Sequence, residues 1–270
     1  MKTKIDVPMT RRAAIAAAGM GAATLAGPAA FAQAQPAAKT FLLVHGAWHG
    51  GWCWRRVSDL LEKRGHKVFS PTLTGLGERA HLLNANINLD THIADIVNVI
   101  KWEDLTGVCV VAHSYGGWPV SGALEQMQDR VASVVYLDAF MPEDGQKGID
   151  FASEASRQGT LAAIAKGELS RPSPKAEAFH VNEKDRAWVD SKLTPQPVGV
   201  AMQPIKLTGA REKIAKKTYI RAPIFAQPAF DQALAAKKAD PSWRTYELPC
   251  GHDVMVDMPD RLVEILLEVA

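Results

Sequence analysis

The sequence predicts an α/β fold: a mostly parallel β-sheet with helices on both faces and one helical insertion late in the chain. Three observations carry this. Beyond residue 38, apolar runs of strand length alternate with segments whose apolar residues recur at helical spacing. The strand runs are apolar throughout rather than every second residue, as expected of strands covered on both faces. The alternation then stops between residues 141 and 217, where helix-forming stretches and prolines take over. Repeated βαβ units take right-handed crossovers and lie parallel, so the sheet grows by neighbours. The length suits one core with one insertion, and the 47% hydrophobic content suffices for a large one.

Taken in order, "TFLLVH" (40–45) reads as the first buried strand. "GWCWRRVSDLLEKRG" (51–65) follows as a helix, with Trp54, Val57, Leu60 and Leu61 on one face and Gly65 as its stop. "HKVFS" (66–70) is the next strand. "DTHIADIVNVIKW" (90–102) is a helix for which Asp90 is the expected cap. "GVCVVAH" (107–113) is a strand, "WPVSGALEQM" (118–127) a helix and "VASVVYLD" (131–138) a strand. After the insertion, "KTYIRAP" (217–223) and "WRTYELP" (243–249) are strands, with a helix from about Phe230 between them. "PDRLVEILLEV" (259–269) closes the chain as an amphipathic helix opened by Pro259. The organisation is a core over 39–140 and 218–270, with a helical lid over 141–217 that gates a pocket.

The first 32 residues differ in kind. A basic start, the pair Arg11-Arg12, an Ala/Gly/Leu stretch and Ala30-Phe31-Ala32 form the layout of a secretory signal, and Thr10-Arg11-Arg12 resembles a twin-arginine leader. The expectation is a periplasmic or secreted protein that begins near Gln33. The apolar run is too short and glycine-broken for a membrane-spanning helix. A net charge of +2, with no basic run interleaved with aromatics, argues against a nucleic-acid partner or stable membrane association. No feature of the sequence specifies an oligomer. The three cysteines, Cys53, Cys109 and Cys250, lack metal-ligand spacing. A Cys53–Cys250 bridge is conceivable in an oxidising compartment.

Three short motifs carry the chemistry. In "VVAHSYGGW" (110–118) a strand ends in small-x-Ser-x-Gly and opens a helix. That is a nucleophile elbow, a strained turn that exposes the serine hydroxyl and demands small neighbours, here Ala112 and Gly116. Ser114 is therefore the expected nucleophile. "HGAWHGGWCW" (45–54) follows the first strand, where a loop supplies oxyanion donors. The backbone N–H groups of Tyr115 and Ala47 are the expected pair. "LPCGHDVM" (248–255) places His252 after the last strand, able to reach Ser114 as general base and then acid. His45 and His49 are expected to shape the oxyanion loop.

These motifs together resemble the α/β-hydrolase superfamily, in particular the branch of plant methyl esterases, hydroxynitrile lyases and their bacterial relatives. The resemblance covers about residues 39–270 and implies a serine hydrolase that needs no metal or cofactor. The lyases have a threonine after the loop histidine and a lysine after the catalytic one, where this chain has Gly46 and Asp253. That departure argues against cyanohydrin chemistry.

The family usually places its acid after the strand corresponding to "KTYIRAP", yet no carboxylate appears there before Asp231. Asp138, at the end of the preceding sheet strand, matches an alternative acid position of the superfamily and is the favoured third member. Asp231, which could equally cap a helix, is the alternative.

Trp48, His49, Trp118, Phe140 and Trp188 are the expected substrate-binding residues, with Tyr115, Met141 and Phe179 nearby. Their apolar character points to carboxylic esters of small to medium hydrophobic groups. The alternatives are the same triad acting on C–C or amide bonds, or a non-catalytic ligand-binding homologue.

Overall fold

A computed structural model describes residues 37–270; the expected leader lies outside them. In chain order the elements are β1 (Thr40–Val44), α1 (Arg55–Glu62), β2 (Lys67–Phe69), α2 (Leu89–Trp102), β3 (Val108–His113), α3 (Gly117–Met127) and β4 (Val131–Leu137). The insertion contains α4 (Glu154–Ala165), β5 (Ser170–Arg171), α5 (Glu183–Asp190), β6 (Gln196–Pro197) and α6 (Ala210–Lys213). The chain ends with β7 (Lys216–Arg221), α7 (Pro228–Lys238), β8 (Trp243–Glu247), α8 (Val254–Asp257) and α9 (Pro259–Val269).

Six strands form one sheet in the order β2-β1-β3-β4-β7-β8, and every neighbouring pair is parallel. All their carboxyl ends therefore lie along one edge, where α/β sheets build their sites. Side-chain alternation splits the core in two. Phe41, Leu43, Val111 and Ile220 pack with α1 and α9 through Val57, Leu61, Leu262 and Leu266. Leu42, Val44, Val110 and Tyr219 pack with α2, α3 and α7 through Ile96, Leu124 and Leu234. Both faces are buried, which is why the strands read as unbroken apolar runs.

The structure departs from the sequence reading at several points. A two-stranded antiparallel pair, β5 with β6, lies within the insertion, where no strand was expected. Two-residue strands are too short to leave a periodic signal. The cap of α2 is Asn88, not Asp90: its side chain accepts from Thr91 N–H, and Thr91 bonds back in a capping box. The helix begins at Leu89, which is 1% exposed and belongs to the core. Cys53, Cys109 and Cys250 are all free and buried, so the conceivable bridge does not form. No helix of the described residues is long and apolar enough to cross a membrane.

Candidate active site

β3 is buried along its whole length and delivers the chain to Ser114, whose φ of +53° lies in the left-handed region. A non-glycine residue there is strained by about 1–2 kcal/mol, so surrounding packing must hold it. That packing is tight. A Cβ at Gly116 would lie 2.8 Å from His45 O, and one at Gly46 would lie 2.8 Å from Ser114 Cβ. The loop after β1 thus crosses the elbow at van der Waals contact, which only glycine permits on both sides. Ser114 O accepts a hydrogen bond from Phe140 N–H (3.2 Å), tying the elbow to the exit of β4.

His252, on the loop between β8 and α8, presents Nε2 to Ser114 Oγ at 2.8 Å. Its Nδ1 lies 2.6 Å from Asp138 Oδ2. Nδ1–H donates to the carboxylate, which fixes the tautomer with a lone pair on Nε2 facing the serine hydroxyl. Phe225 stacks on the imidazole at 4.4 Å between centroids, and His113 packs at 4.5 Å. The His252 main chain is pinned as well: its N–H donates to Phe179 O (2.8 Å), and its carbonyl accepts from His113 Nε2–H (3.0 Å).

Asp138 is fully buried, with φ +43°. Its Oδ1 accepts from Arg221 Nη1 (2.7 Å) and Ala222 N–H (3.0 Å). Arg221 also reaches Asp231 Oδ1 through Nε (2.8 Å) and Phe225 O through Nη2 (2.7 Å). The two candidate acids therefore sit on opposite sides of one guanidinium. Asp138 touches the histidine, whereas the Asp231 side chain is 60% exposed and pairs with Arg221. Arg221 escaped the sequence reading. The available signal was a charged residue at the end of an apolar strand, because a charge there demands a buried partner.

Around the oxyanion position, the Tyr115 phenol is committed to the core by its hydrogen bond to His92 Nδ1 (2.9 Å). His92 Nε2–H donates to Thr74 O (2.9 Å), and burial lowers this imidazole to about 4, so it stays neutral. His45 is lowered to about 3, also by burial.

His49 lies behind the loop rather than in the substrate cavity. It is 1% exposed, donates through Nδ1 to Ala47 O (2.8 Å) and pairs through Nε2 with Asp253 Oδ2 (3.0 Å). Burial works to lower His49, but the adjacent Asp253 charge outweighs it and raises the imidazole. Burial likewise opposes ionisation of Asp253, which His49 nonetheless lowers to about 2. The pair holds the Ala47 carbonyl in place from beneath.

Trp188 is also absent from the cavity wall. α5 turns it outward, edge-on to Trp52 (5.2 Å) and under the Arg56 guanidinium (5.5 Å).

A cavity of about 520 Å³ opens over Ser114 and His252. Ala47, Trp48, Tyr115, Trp118 and Phe140 line it, as the sequence suggested, and Phe179 joins them from the insertion. Phe151, Phe225 and Phe230 complete a predominantly apolar wall that sequence reasoning did not assign. Met141 borders a smaller neighbouring depression instead. Among the described residues, no cluster of three or more His, Cys, Asp or Glu side chains is placed to hold a metal ion.

A nucleophile elbow at the carboxyl edge of a parallel sheet, served by a histidine from the last loop, defines a class of enzyme architecture. The chain belongs to the α/β-hydrolase family, which it matches over residues 41–265. It is 40% identical over 236 residues to a carbendazim hydrolyzing esterase of Nocardioides, spanning 84% of this chain and 97% of the relative. Among solved structures it resembles a methylesterase from Arabidopsis at 26% identity and a TM-score of 0.66, covering 85% of this chain and 98% of that one. An extracellular α/β-hydrolase from a Paenibacillus species shares the fold at 23% identity and a TM-score of 0.73, over 86% of this chain and 99% of the other.

Proposed function

We propose that the protein hydrolyses carboxylic esters of small to medium hydrophobic groups through an acyl-enzyme on Ser114. The observation that carries this is the unbroken line from Ser114 Oγ through His252 to Asp138, at 2.8 and 2.6 Å. His252 Nε2 takes the hydroxyl proton as Oγ attacks the ester carbonyl, and Asp138 stabilises the imidazolium that forms. The backbone N–H groups of Ala47 and Tyr115 receive the developing oxyanion, each worth about 3–4 kcal/mol. His252 then protonates the departing alkoxide, and the alcohol leaves. A water, deprotonated by the same Nε2, attacks the acyl-enzyme, and collapse of the second tetrahedral intermediate returns the proton to Ser114.

The segment over 141–217 acts as a lid that walls the cavity with apolar groups and limits water. The names of the relatives, esterase and methylesterase, support the same reaction class. A binding role without turnover fits poorly with a serine and histidine already in hydrogen-bond contact.

The test is turnover of p-nitrophenyl acetate and butyrate by the mature protein, with loss of activity in step with labelling by a fluorophosphonate. Turnover that persists after complete labelling of the serine would overturn the mechanism.

Export by the twin-arginine route is proposed alongside, supported by Arg11-Arg12 and Ala30-Phe31-Ala32. Amino-terminal sequencing of protein recovered from the periplasm or medium is expected to begin at or near Gln33. Protein that keeps its first 32 residues there would refute it.

A further inference from the structure

The cavity wall is mostly apolar, with Ser153, Ser156, Thr160 and Gln227 among its polar members, and it carries one arginine, Arg171, that the hydrolytic reaction does not use. Arg171, on β5, faces Gln196 on β6 across the antiparallel pair, and both line the cavity. The Arg171 guanidinium lies over the Trp48 ring, 4.4 Å from its centroid, and no described carboxylate or carbonyl takes a hydrogen bond or ion pair from it. Burial with no anion beside it depresses this guanidinium to about 10, the mark of a desolvated, uncompensated charge.

Gln196 is 3% exposed. Its Oε1 accepts from Trp48 N–H (2.9 Å), while Nε2 has no partner. Trp48 Nε1 is likewise buried without a partner. Three neighbouring side chains thus carry N–H groups to which nothing in the described chain responds, those of Gln196 and Trp48 packed beneath the cavity surface. Their complement is a group that only accepts hydrogen bonds and carries negative charge. Among the described residues, no Asp or Glu lines the cavity to supply it from within.

Trp48 joins the patch to the reaction centre, because it follows the oxyanion residue Ala47 and holds a φ of +64°. The strained turn at Trp48 sets its ring as the platform under Arg171, an arrangement suited to a planar anion gripped by the guanidinium fork.

We propose that Arg171, with Gln196 and Trp48, forms a subsite for a carboxylate carried by the ester substrate at the end remote from the scissile bond. This rests on the hydrolase reading and narrows it: the preferred substrate is a mono-ester whose apolar body fills the aromatic wall and whose free acid reaches β5.

The experiment compares mono-p-nitrophenyl adipate, p-nitrophenyl hexanoate and the neutral p-nitrophenyl methyl diester of adipate, on the native protein and on Arg171→Met and Arg171→Lys. The native protein is expected to favour the mono-acid over hexanoate in kcat/KM by about tenfold or more, the worth of one charge-assisted contact. The neutral diester should behave like hexanoate. In Arg171→Met the preference should fall to about one, and Arg171→Lys should retain part of it, since it keeps the charge but not the fork.

The ratio is internal to each variant, so partial misfolding scales all three substrates alike and cannot mimic the result. A native ratio near one, a ratio unmoved in Arg171→Met, or a diester as good as the mono-acid overturns the subsite. Each of those outcomes leaves esterase activity on hexanoate in place. Absence of turnover on all three esters, together with an unlabelled Ser114, would instead remove the hydrolase reading itself.

Discussion

Ser114→Ala is expected to lower kcat for p-nitrophenyl butyrate by about 10⁶-fold, and Asp138→Asn by about 10⁴-fold, both with the fold intact. The serine variant loses the nucleophile outright, and what remains is the polarisation supplied by the oxyanion donors. The aspartate variant is the more informative. An asparagine at 138 fills the same volume and still faces the Nδ1 of His252 at the 2.6 Å contact. Its amide can donate there, which favours the tautomer with the proton on Nε2. A protonated Nε2 cannot accept from Ser114 Oγ, so the base is present but disabled.

Asp231→Asn, assayed beside it, is expected to stay within about fivefold of the native rate, a loss of about 1 kcal/mol, since the Asp231 side chain is 60% exposed and Arg221 keeps Asp138 as its buried countercharge. Steady-state kcat for the three variants decides the acid. A larger loss in Asp231→Asn than in Asp138→Asn would transfer the role to Asp231.

That choice shows where the sequence stops being legible. The sheet could be read because each strand is apolar along its length and each helix is apolar on one face, both local patterns. Ser114 and His252 could be read because the elbow and the last loop impose small residues at fixed spacing. The acid could not be settled that way. Asp138 directly follows β4 and Asp231 lies in the first turn of α7, and what separates them is the Arg221 side chain, which reaches Asp138 with one nitrogen and Asp231 with another. Sequence distance carries no trace of that fork.

The same limit explains His49. It lies two residues beyond Ala47, yet the positive φ of the intervening Trp48 turns the chain so that the imidazole drops beneath the loop onto Asp253. Trp188 failed for a related reason: periodicity places it on α5 but cannot say that its face meets Trp52 and Arg56 rather than the cavity. Asp90 competes with Asn88 as a cap because it too is a favoured capping residue, two positions on, and the Asn88–Thr91 capping box together with the burial of Leu89 fixes the helix start.

Arg221 ties the proposed acid Asp138 to the core, so its removal should be felt in both stability and activity. The side chains of Arg221 and Asp138 are 1% and 0% exposed, so Arg221→Met leaves a carboxylate buried with no countercharge. Breaking a buried pair from one side costs about 3–5 kcal/mol. For a chain of this size that corresponds to a Tm lowered by roughly ten degrees. Activity should fall as well, because Asp138 keeps only the Ala222 N–H on Oδ1, and the loop bearing Phe225 loses the bond that sets it against the His252 ring.

A plain packing role for Arg221 predicts the same single-variant loss, so the distinguishing measurement is the double variant with Asp138→Asn. If the cost of Arg221→Met is the stranded charge, removing that charge recovers part of it, and the double variant melts above the temperature expected from adding the two single losses. Strict additivity of the two losses would show instead that the guanidinium matters for its bulk and its carbonyl contacts, and that Asp138 does not depend on it for its charge.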